Sequence, residues 1–503
     1  MPRTFRARAG HVIAAAAAVP LVLSLALTGS AYAEPGAPPG PPADSIQAPD
    51  VKQHLERFQT IANANGRTRA AGTPGYDASR DYVAGELRRV GYQVTLQAFT
   101  FQAFRERTTA VMEEVSAGPK TYKSTPPDRS ELGDFATATY SGSGDKRATV
   151  QGVDLVLPPG PQPNTSTSGC EKADFAKFTR GNIALLQRGT CTFADKARNA
   201  QAAGASGVII FNEGQEGRTD TFTEPLDETG ITIPVVGTSF AVGKDLASSK
   251  NKVVRLKTDT EALPATTHNV LAESRQGNAD KVVMAGAHLD SVRAGPGIND
   301  NASGSAGLLE VALQMATTQP KNKVRFAWWG AEELGLIGSK YYVSNLSATE
   351  RSRIKLYLNF DMIGSSNFAY KIYNGSSGPA GSVAIEQNFN RYFDSRNIPH
   401  VRTALDGRSD YGPFMRVGIP VGGLFTGAEG IKTRQEQQLF GGTAGRPYDP
   451  CYHRSCDTTA NISDTALTVN TGAIADAMQT YAASDNPPDR AAAATSEEAP
   501  THE

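Results

Sequence analysis

The chain has 503 residues, with 50 Lys plus Arg against 51 Asp plus Glu and a formal net charge of −1. That balance excludes a basic nucleic-acid surface or a dominant acidic tail as the basis of function, so the chemistry has to lie in local clusters. The length suits two or three domains with full cores rather than a small disulfide-stapled scaffold.

The N-terminus is basic at Arg3, Arg6 and Arg8, apolar from Val12 to Leu27, and ends in the small-residue run Ala31-Tyr32-Ala33. Residues 1–33 therefore have the form of an export signal cleaved after Ala33. A membrane anchor is the alternative, but the apolar run is shorter than the roughly 20 residues a span needs and Pro20 interrupts it. No other segment approaches that length, so no stable membrane association is expected. An exported chain meets an oxidising compartment, where the four cysteines are read as disulfides rather than as zinc ligands. The local pairing is expected, Cys170 with Cys191 and Cys451 with Cys456.

Residues 34–44 form a Pro/Gly linker. The main fold starts at residue 45, where the spacing of Val51, Leu55, Phe58 and Ile61 predicts a helix and that of Tyr82, Val83, Leu87 and Val90 a second. The stretch YQVTLQAFTF then alternates as a strand, and residues 45–129 are taken as the first part of the main domain. From 130 to 258 the character changes: short apolar strands (ATVQGVDLVL, GNIALLQRG, SGVIIFNE, IPVVGTSF) are separated by Gly, Pro and Ser, with one helical stretch, TFADKARNAQAAG. This segment reads as a separate β-rich insert. Residues 259–483 alternate regularly, with strands in DKVVMAGAHLD, KVRFAWWGAEE, IKLYLNFDMIG and AYKIYNG and helices in GSAGLLEVALQMATT, LIGSKYYVSNL and SVAIEQNFNRYFDSRN. Near-continuous apolar strands alternating with helices predict an α/β fold whose sheet is largely parallel at its centre and covered by helices on both faces. The tail, 484–503, is rich in Ala, Pro and acidic residues and is expected to be disordered.

Functional groups of an open α/β sheet collect beyond the carboxyl ends of its strands, and there this chain carries ligand-type residues. VVMAGAH leads to His288 and Asp290, the next loop holds Asp300, FAWWGAE ends at Glu332 and Glu333, LYLNFD at Asp361, and the late loop CYHRSC holds His453. Adjacent carboxylates behind a buried strand cost several kcal/mol each unless compensated, and a cation is the strongest compensation. Two imidazoles and three carboxylates suit a pair of zinc-class ions: His288 and Asp361 on one, Glu333 and His453 on the other, Asp300 bridging. Glu332 is left beside the ions as a general base for metal-activated water. Asp290 is expected to accept the second imidazole N–H of His288 and so fix its orientation.

The segments GAHLDSV, GINDNASGSAGLLE, WWGAEELGLIGS, NFDMIG and CYHRSC, in this order and spacing, resemble the co-catalytic zinc aminopeptidases of the M28 peptidase family, in particular the secreted bacterial leucine-type enzymes. The resemblance implies two Zn²⁺ per chain on the same ligands, Glu332 as base, and Tyr452 donating a hydrogen bond to the oxyanion. GRSDYGPF and VGGLFTGA extend it, implying Arg408 near the substrate's carbonyl or amine end and an apolar pocket lined by Met362, Gly407 and Phe425. By chemistry alone Arg408 could instead pair with Asp406 or Asp410, and Tyr452 could be a packed loop aromatic. The Cys451–Cys456 bridge would clamp Tyr452 and His453 in a short loop. Residues 130–258 resemble a protease-associated domain, which implies a lid or substrate-restricting role. A calcium site is not carried over, because ISDTALTVNTG offers only Asp464 as an obvious hard ligand. The implied partners are peptide or protein N-termini, the implied state a monomer, and the implied location extracellular. The competing readings are a carboxypeptidase or dipeptidase of the same family, which would need more cationic groups than Arg408, and a receptor-like protein that has lost its metals.

Overall fold

A computed structural model of the chain describes residues 46–490, apart from 117, 127–130, 223–224, 227–229 and 250. The export signal, the linker and the end of the tail lie outside the described residues. No helix among the described residues is long and apolar enough to cross a membrane.

Two helices open the fold, Ala48–Ala64 and Pro74–Arg89. The first buries Val51, Leu55, Phe58 and Ile61 on one face, as their spacing requires. The second starts where Pro74 presets the first turn and the Thr73 hydroxyl accepts from the Tyr76 N–H. Next come β1 (Gln93–Glu114), β2 (Lys120–Tyr122), β3 (Phe135–Thr137), β4 (Gly144–Gly152), β5 (Ile183–Gln187), β6 (Gly207–Phe211), β7 (Val235–Thr238) and β8 (Val253–Glu273). Then follow β9 (Asn278–His288), β10 (Asn322–Trp329), β11 (Ile354–Phe360), β12 (Lys371–Tyr373), β13 (Val401–Thr403) and β14 (Val421–Phe425).

At the centre, β14, β11, β9 and β10 run parallel, and β8 and β12 close the two sides antiparallel. Met284, Ala285, Phe326, Trp328, Leu356 and Leu358 on these strands are buried, which is why their sequences are continuously apolar. Helices Gly304–Met315 and Asp464–Ala483 pack on one face together with the two opening helices. The 20-residue helix Asp464–Ala483 has no counterpart in the sequence expectation. Leu467, Ile474, Met478 and Tyr481 repeat on its buried side at helical spacing, and the buried alanines around them broaden that stripe.

The insert has its own parallel set, β4, β5, β6 and β7, with β3 antiparallel at the edge. Two helices pack on it, Phe193–Ala202, where a helical stretch was expected, and Phe240–Ala247, which was not. The strand expected over ATVQGVDLVL stops at Gly152, and the chain turns before Pro158. The central sheet and the insert are joined by one long antiparallel two-stranded ribbon, in which β1 pairs with β8 from Gln93↔Glu273 to Glu114↔Val254. Strand β8 runs through residue 258 without interruption.

The beginning of the tail is tied down rather than disordered: Asn322 Nδ2 donates to Ser484 O (2.7 Å), Lys321 pairs with Asp485 (3.0 Å) and Lys355 with Asp489 (2.8 Å). Asp485 and Asp489 thus meet lysines at the amino ends of β10 and β11.

Candidate active site

The ligand-type residues converge at the carboxyl ends of the parallel strands. His288 is the last residue of β9, and Asp361 follows the end of β11. Glu332 and Glu333 sit in the turn after β10, where Gly335 N and Leu336 N both donate to Glu332 O (2.7 and 2.8 Å). Asp300 lies in the loop that enters helix Gly304–Met315, and His453 in the loop closed by the Cys451–Cys456 disulfide. The second disulfide joins Cys170 to Cys191, as expected.

Asp300 is the centre of the cluster. Its Oδ1 lies 3.3 Å from His288 Nε2 and its Oδ2 3.1 Å from His453 Nε2. Asp361 Oδ1 is 3.3 Å from His288 Nε2, and Glu333 Oε2 is 3.0 Å from His453 Nε2. Glu332 Oε2 stands farther off, 3.9 Å from His288 Nε2. Glu333 Oε1 and Asp361 Oδ1 are buried with no hydrogen-bond partner among the described residues. Ligand atoms of His288, Asp300 and Glu333, and separately of His288, Glu332 and Asp361, lie within 4.8 Å of one another. Orphaned buried carboxylate oxygens beside imidazole nitrogens are the donor set of a divalent cation.

Without a cation, the charges of this cluster are badly balanced. Burial raises the Glu332 carboxyl well above the carboxylate range, and the charges of Asp410, Asp361 and Glu333 add to it against His288. Burial and Asp300 likewise raise Glu333. Burial disfavours charge on His453, yet Glu333 and Asp300 overcome it and lift its pKa to about 10. Burial opposes ionisation of Asp300, but its hydrogen bonds to His288 and His453 hold it far below the usual range. The imidazoles thus carry the positive charge a metal would bring.

Asp290 is in place, and it is its backbone carbonyl rather than its carboxylate that faces the imidazole. The Nδ1 of His288 faces the backbone carbonyl of Asp290 at 3.1 Å, whereas the Asp290 carboxylate is 3.7 Å away. That carboxylate instead accepts from the backbone N–H groups of Glu332 (3.1 Å) and Glu333 (3.3 Å), so it holds the turn rather than the imidazole.

Sequence reasoning missed several supports. Ser409 Oγ donates to Asp361 Oδ2 (2.6 Å) and accepts from Asn359 Nδ2 (2.9 Å), which leaves the other Asp361 oxygen turned to His288. Asp457 accepts from the backbone N–H of Asn299 (2.9 Å) and of Asp300 (3.0 Å). Asp449 accepts from Asn299 Nδ2 (2.6 Å) and Cys451 N (2.8 Å). These two carboxylates bracket the disulfide loop in DPCYHRSCD, and that flanking was the available signal. Asp410, fully buried, has no hydrogen-bond partner for either carboxylate oxygen among the described residues, and burial raises its pKa to about 7.

Tyr452 stacks on the His453 ring, with centroids 3.8 Å apart. Burial and the nearby Asp300, Glu429 and Glu333 raise its pKa well above the ordinary phenol value, so its hydroxyl remains a donor. Arg408 is exposed, and its backbone N–H donates to Asp406 Oδ1 (3.1 Å). Arg408, Met362, Gly407 and Phe425 line one cavity of about 1390 Å³ together with the ligand cluster and Tyr452. The insert supplies its other wall with Arg188, Asn212, Phe222 and Leu226. Across that cavity Arg188 is 3.7 Å from Glu429, and Gly217 approaches Ile431 so closely that a Cβ would come within 2.3 Å of its side chain.

Residues 269–478 match peptidase family M28, and residues 151–246 match the PA domain. An aminopeptidase of Pseudomonas aeruginosa is 48% identical over 440 residues, covering 86% of this chain and 80% of that protein. Leucine aminopeptidase 2 of Trichophyton tonsurans is 39% identical over 451 residues, covering 88% and 85%. Among solved structures, an aminopeptidase from Aneurinibacillus sp. strain AM-1 superposes with a TM-score of 0.68 at 26% identity, covering 88% of this chain and 96% of that one. A zinc aminopeptidase from Bacillus subtilis superposes with a TM-score of 0.62 at 23% identity, over 88% and 96%, and so shares the fold. On the strength of the near-full-length similarity and the two domain matches, the chain belongs to peptidase family M28 and carries a PA domain.

Proposed function

We propose that this M28 aminopeptidase is an exported enzyme that removes N-terminal residues, preferentially bulky and apolar ones, from peptides at a two-zinc site. The single observation that carries the reading is Asp300, whose two carboxylate oxygens face two different imidazoles. His288 and Asp361 would hold one ion, Glu333 and His453 the other, and Asp300 would be shared. When bound, such ions supply a lowered water pKa, toward about 7, and charge stabilisation of the oxyanion. Glu332, held on its turn but farther from the imidazoles, takes the proton of the attacking water and returns it to the leaving amine. Tyr452 donates its hydroxyl proton in a hydrogen bond to the oxyanion. The substrate's ammonium needs an anionic partner, which Asp361 or Glu332 supplies. Export is supported by the form of residues 1–33 and by the two disulfides.

Purified mature protein is expected to hydrolyse leucine p-nitroanilide, to leave its N-acetylated form intact, and to carry about two zinc ions per chain. Cleavage of the acetylated substrate would overturn the aminopeptidase reading, and a metal-free active enzyme would overturn the site. The wall formed by Met362, Gly407 and Phe425 is proposed to hold the first side chain. Phe425→Asp is therefore expected to lower kcat/KM for leucine and phenylalanine p-nitroanilides by about 10- to 100-fold and to spare the lysine substrate, because a charge replaces buried apolar contact. An unchanged order of preference would remove Phe425 from the pocket.

A further inference from the structure

Thr68 and Arg69 lie in the connection between the two opening helices, more than 200 residues before the ligand cluster. Arg69 is fully buried. Its guanidinium donates to three backbone carbonyls, Pro296 O through Nε (2.8 Å), Leu289 O through Nη1 and Gly297 O through Nη2. Its backbone N–H donates to Ser291 Oγ (3.0 Å), and Thr68 Oγ1 donates to Val292 O (3.2 Å). All five acceptors belong to the loop 289–297, which begins directly after His288 and ends three residues before Asp300.

The loop has little room to take another shape. Gly297 has φ +61°, and a Cβ there would come within 2.4 Å of Ser291 Cβ and 2.3 Å of Asp300 O. The plane of Phe58 supports the guanidinium from below, 5.2 Å from ring centroid to Cζ. Burial lowers the guanidinium pKa to about 10, against the charges of Asp290, Asp457, Asp300 and Glu333, so it remains a cation at neutral pH. Arg69 is not among the residues lining the cleft, so it touches neither substrate nor the reacting atoms.

We propose that Arg69 is a positioning residue, which sets the separation of His288 and Asp300 by gripping the loop between them and so prepares them for the metal pair. This inference rests on the two-zinc reading of the site. A planar fork reaching three fixed carbonyls is something Arg can do and Lys cannot. Groups that orient metal ligands are typically worth about 10- to 100-fold in metal affinity.

The test is a competition titration of zinc against a coloured chelator on purified full-length mature chain, comparing wild type with Arg69→Lys and with Ser291→Ala. The second variant loosens the same loop without emptying a buried charged site. For Arg69→Lys, zinc affinity is expected to fall about 10- to 100-fold; kcat falls with it at limiting zinc and recovers in excess zinc, while KM for leucine p-nitroanilide stays within a few-fold. Ser291→Ala is expected to show a smaller loss in the same direction. Unchanged zinc affinity in the folded fraction of both variants, whatever their melting temperatures, would overturn the proposal and leave Arg69 a packing residue. A wild-type chain that binds no zinc would instead remove the two-zinc reading itself.

Discussion

Glu332→Gln is expected to lower kcat for leucine p-nitroanilide by about 10³-fold, within the range general-base catalysis commonly contributes, while KM stays within a few-fold and zinc content is unchanged. The expectation follows from how one short turn treats two neighbouring glutamates. The Asp290 carboxylate fixes both backbone N–H groups, so the two side chains leave a rigid turn in different directions. Glu333 reaches His453 at 3.0 Å, and Glu332 stops 3.9 Å from His288. A carboxylate at the edge of the donor set can face a water without being consumed as a ligand. Glutamine keeps the size and the turn but cannot accept the proton. If kcat stays within about tenfold of wild type, another group is the base. If zinc is lost instead, Glu332 is a ligand and the division of labour between the two glutamates is wrong.

The legibility of this chain tracks where the physics is local. The ligand residues could be read because His288, Glu333 and Asp361 come at or just after the ends of apolar strands, where a charged residue has few structural excuses, and because Asp300 and His453 stand in loops of the same α/β frame. The long ribbon of β1 and β8 could not be read beyond its first part. Past Phe101 the two strands carry Arg105, Arg107, Asp259 and Glu261, whose pairs across the ladder replace burial as the reason to be extended, and alternation fades. Helix Asp464–Ala483 does carry a helical repeat at Leu467, Ile474, Met478 and Tyr481, but the alanines spread around it weaken the contrast between its faces. The supports of the site were hidden for a different reason. Arg69 acts on carbonyls, Asp457 on backbone N–H groups and Ser409 on one oxygen of a ligand, so each works through partners 48 to 228 positions away. Asp290 shows the same limit in one residue: its position was legible, but whether its carbonyl or its carboxylate meets the imidazole depended on the turn across the cleft.

Asp300→Ala is expected to have the largest effect on metal binding of any single ligand change, lowering zinc from about two per chain to less than one and kcat by more than about 10³-fold. Each of the other carboxylate ligands, Asp361 and Glu333, faces one imidazole, whereas Asp300 faces both, so its loss weakens both positions at once. The loop itself should survive the substitution, because its shape is held by neighbours. Asn299 and Asp300 donate their backbone N–H groups to Asp457, and the Asn301 side chain accepts from Met362 N (3.0 Å) and Gly304 N (2.9 Å) while donating to Phe360 O (3.0 Å). A variant that melts near the metal-free wild type but binds little zinc would therefore separate ligand loss from misfolding. Asp300→Asn sharpens the test: it keeps the shape and loses the charge that offsets two cations, so it should bind zinc little better than the alanine variant. Retention of two zinc ions by either variant would mean that His288 and His453 anchor independent sites, and the shared carboxylate would then have to be assigned to orientation alone.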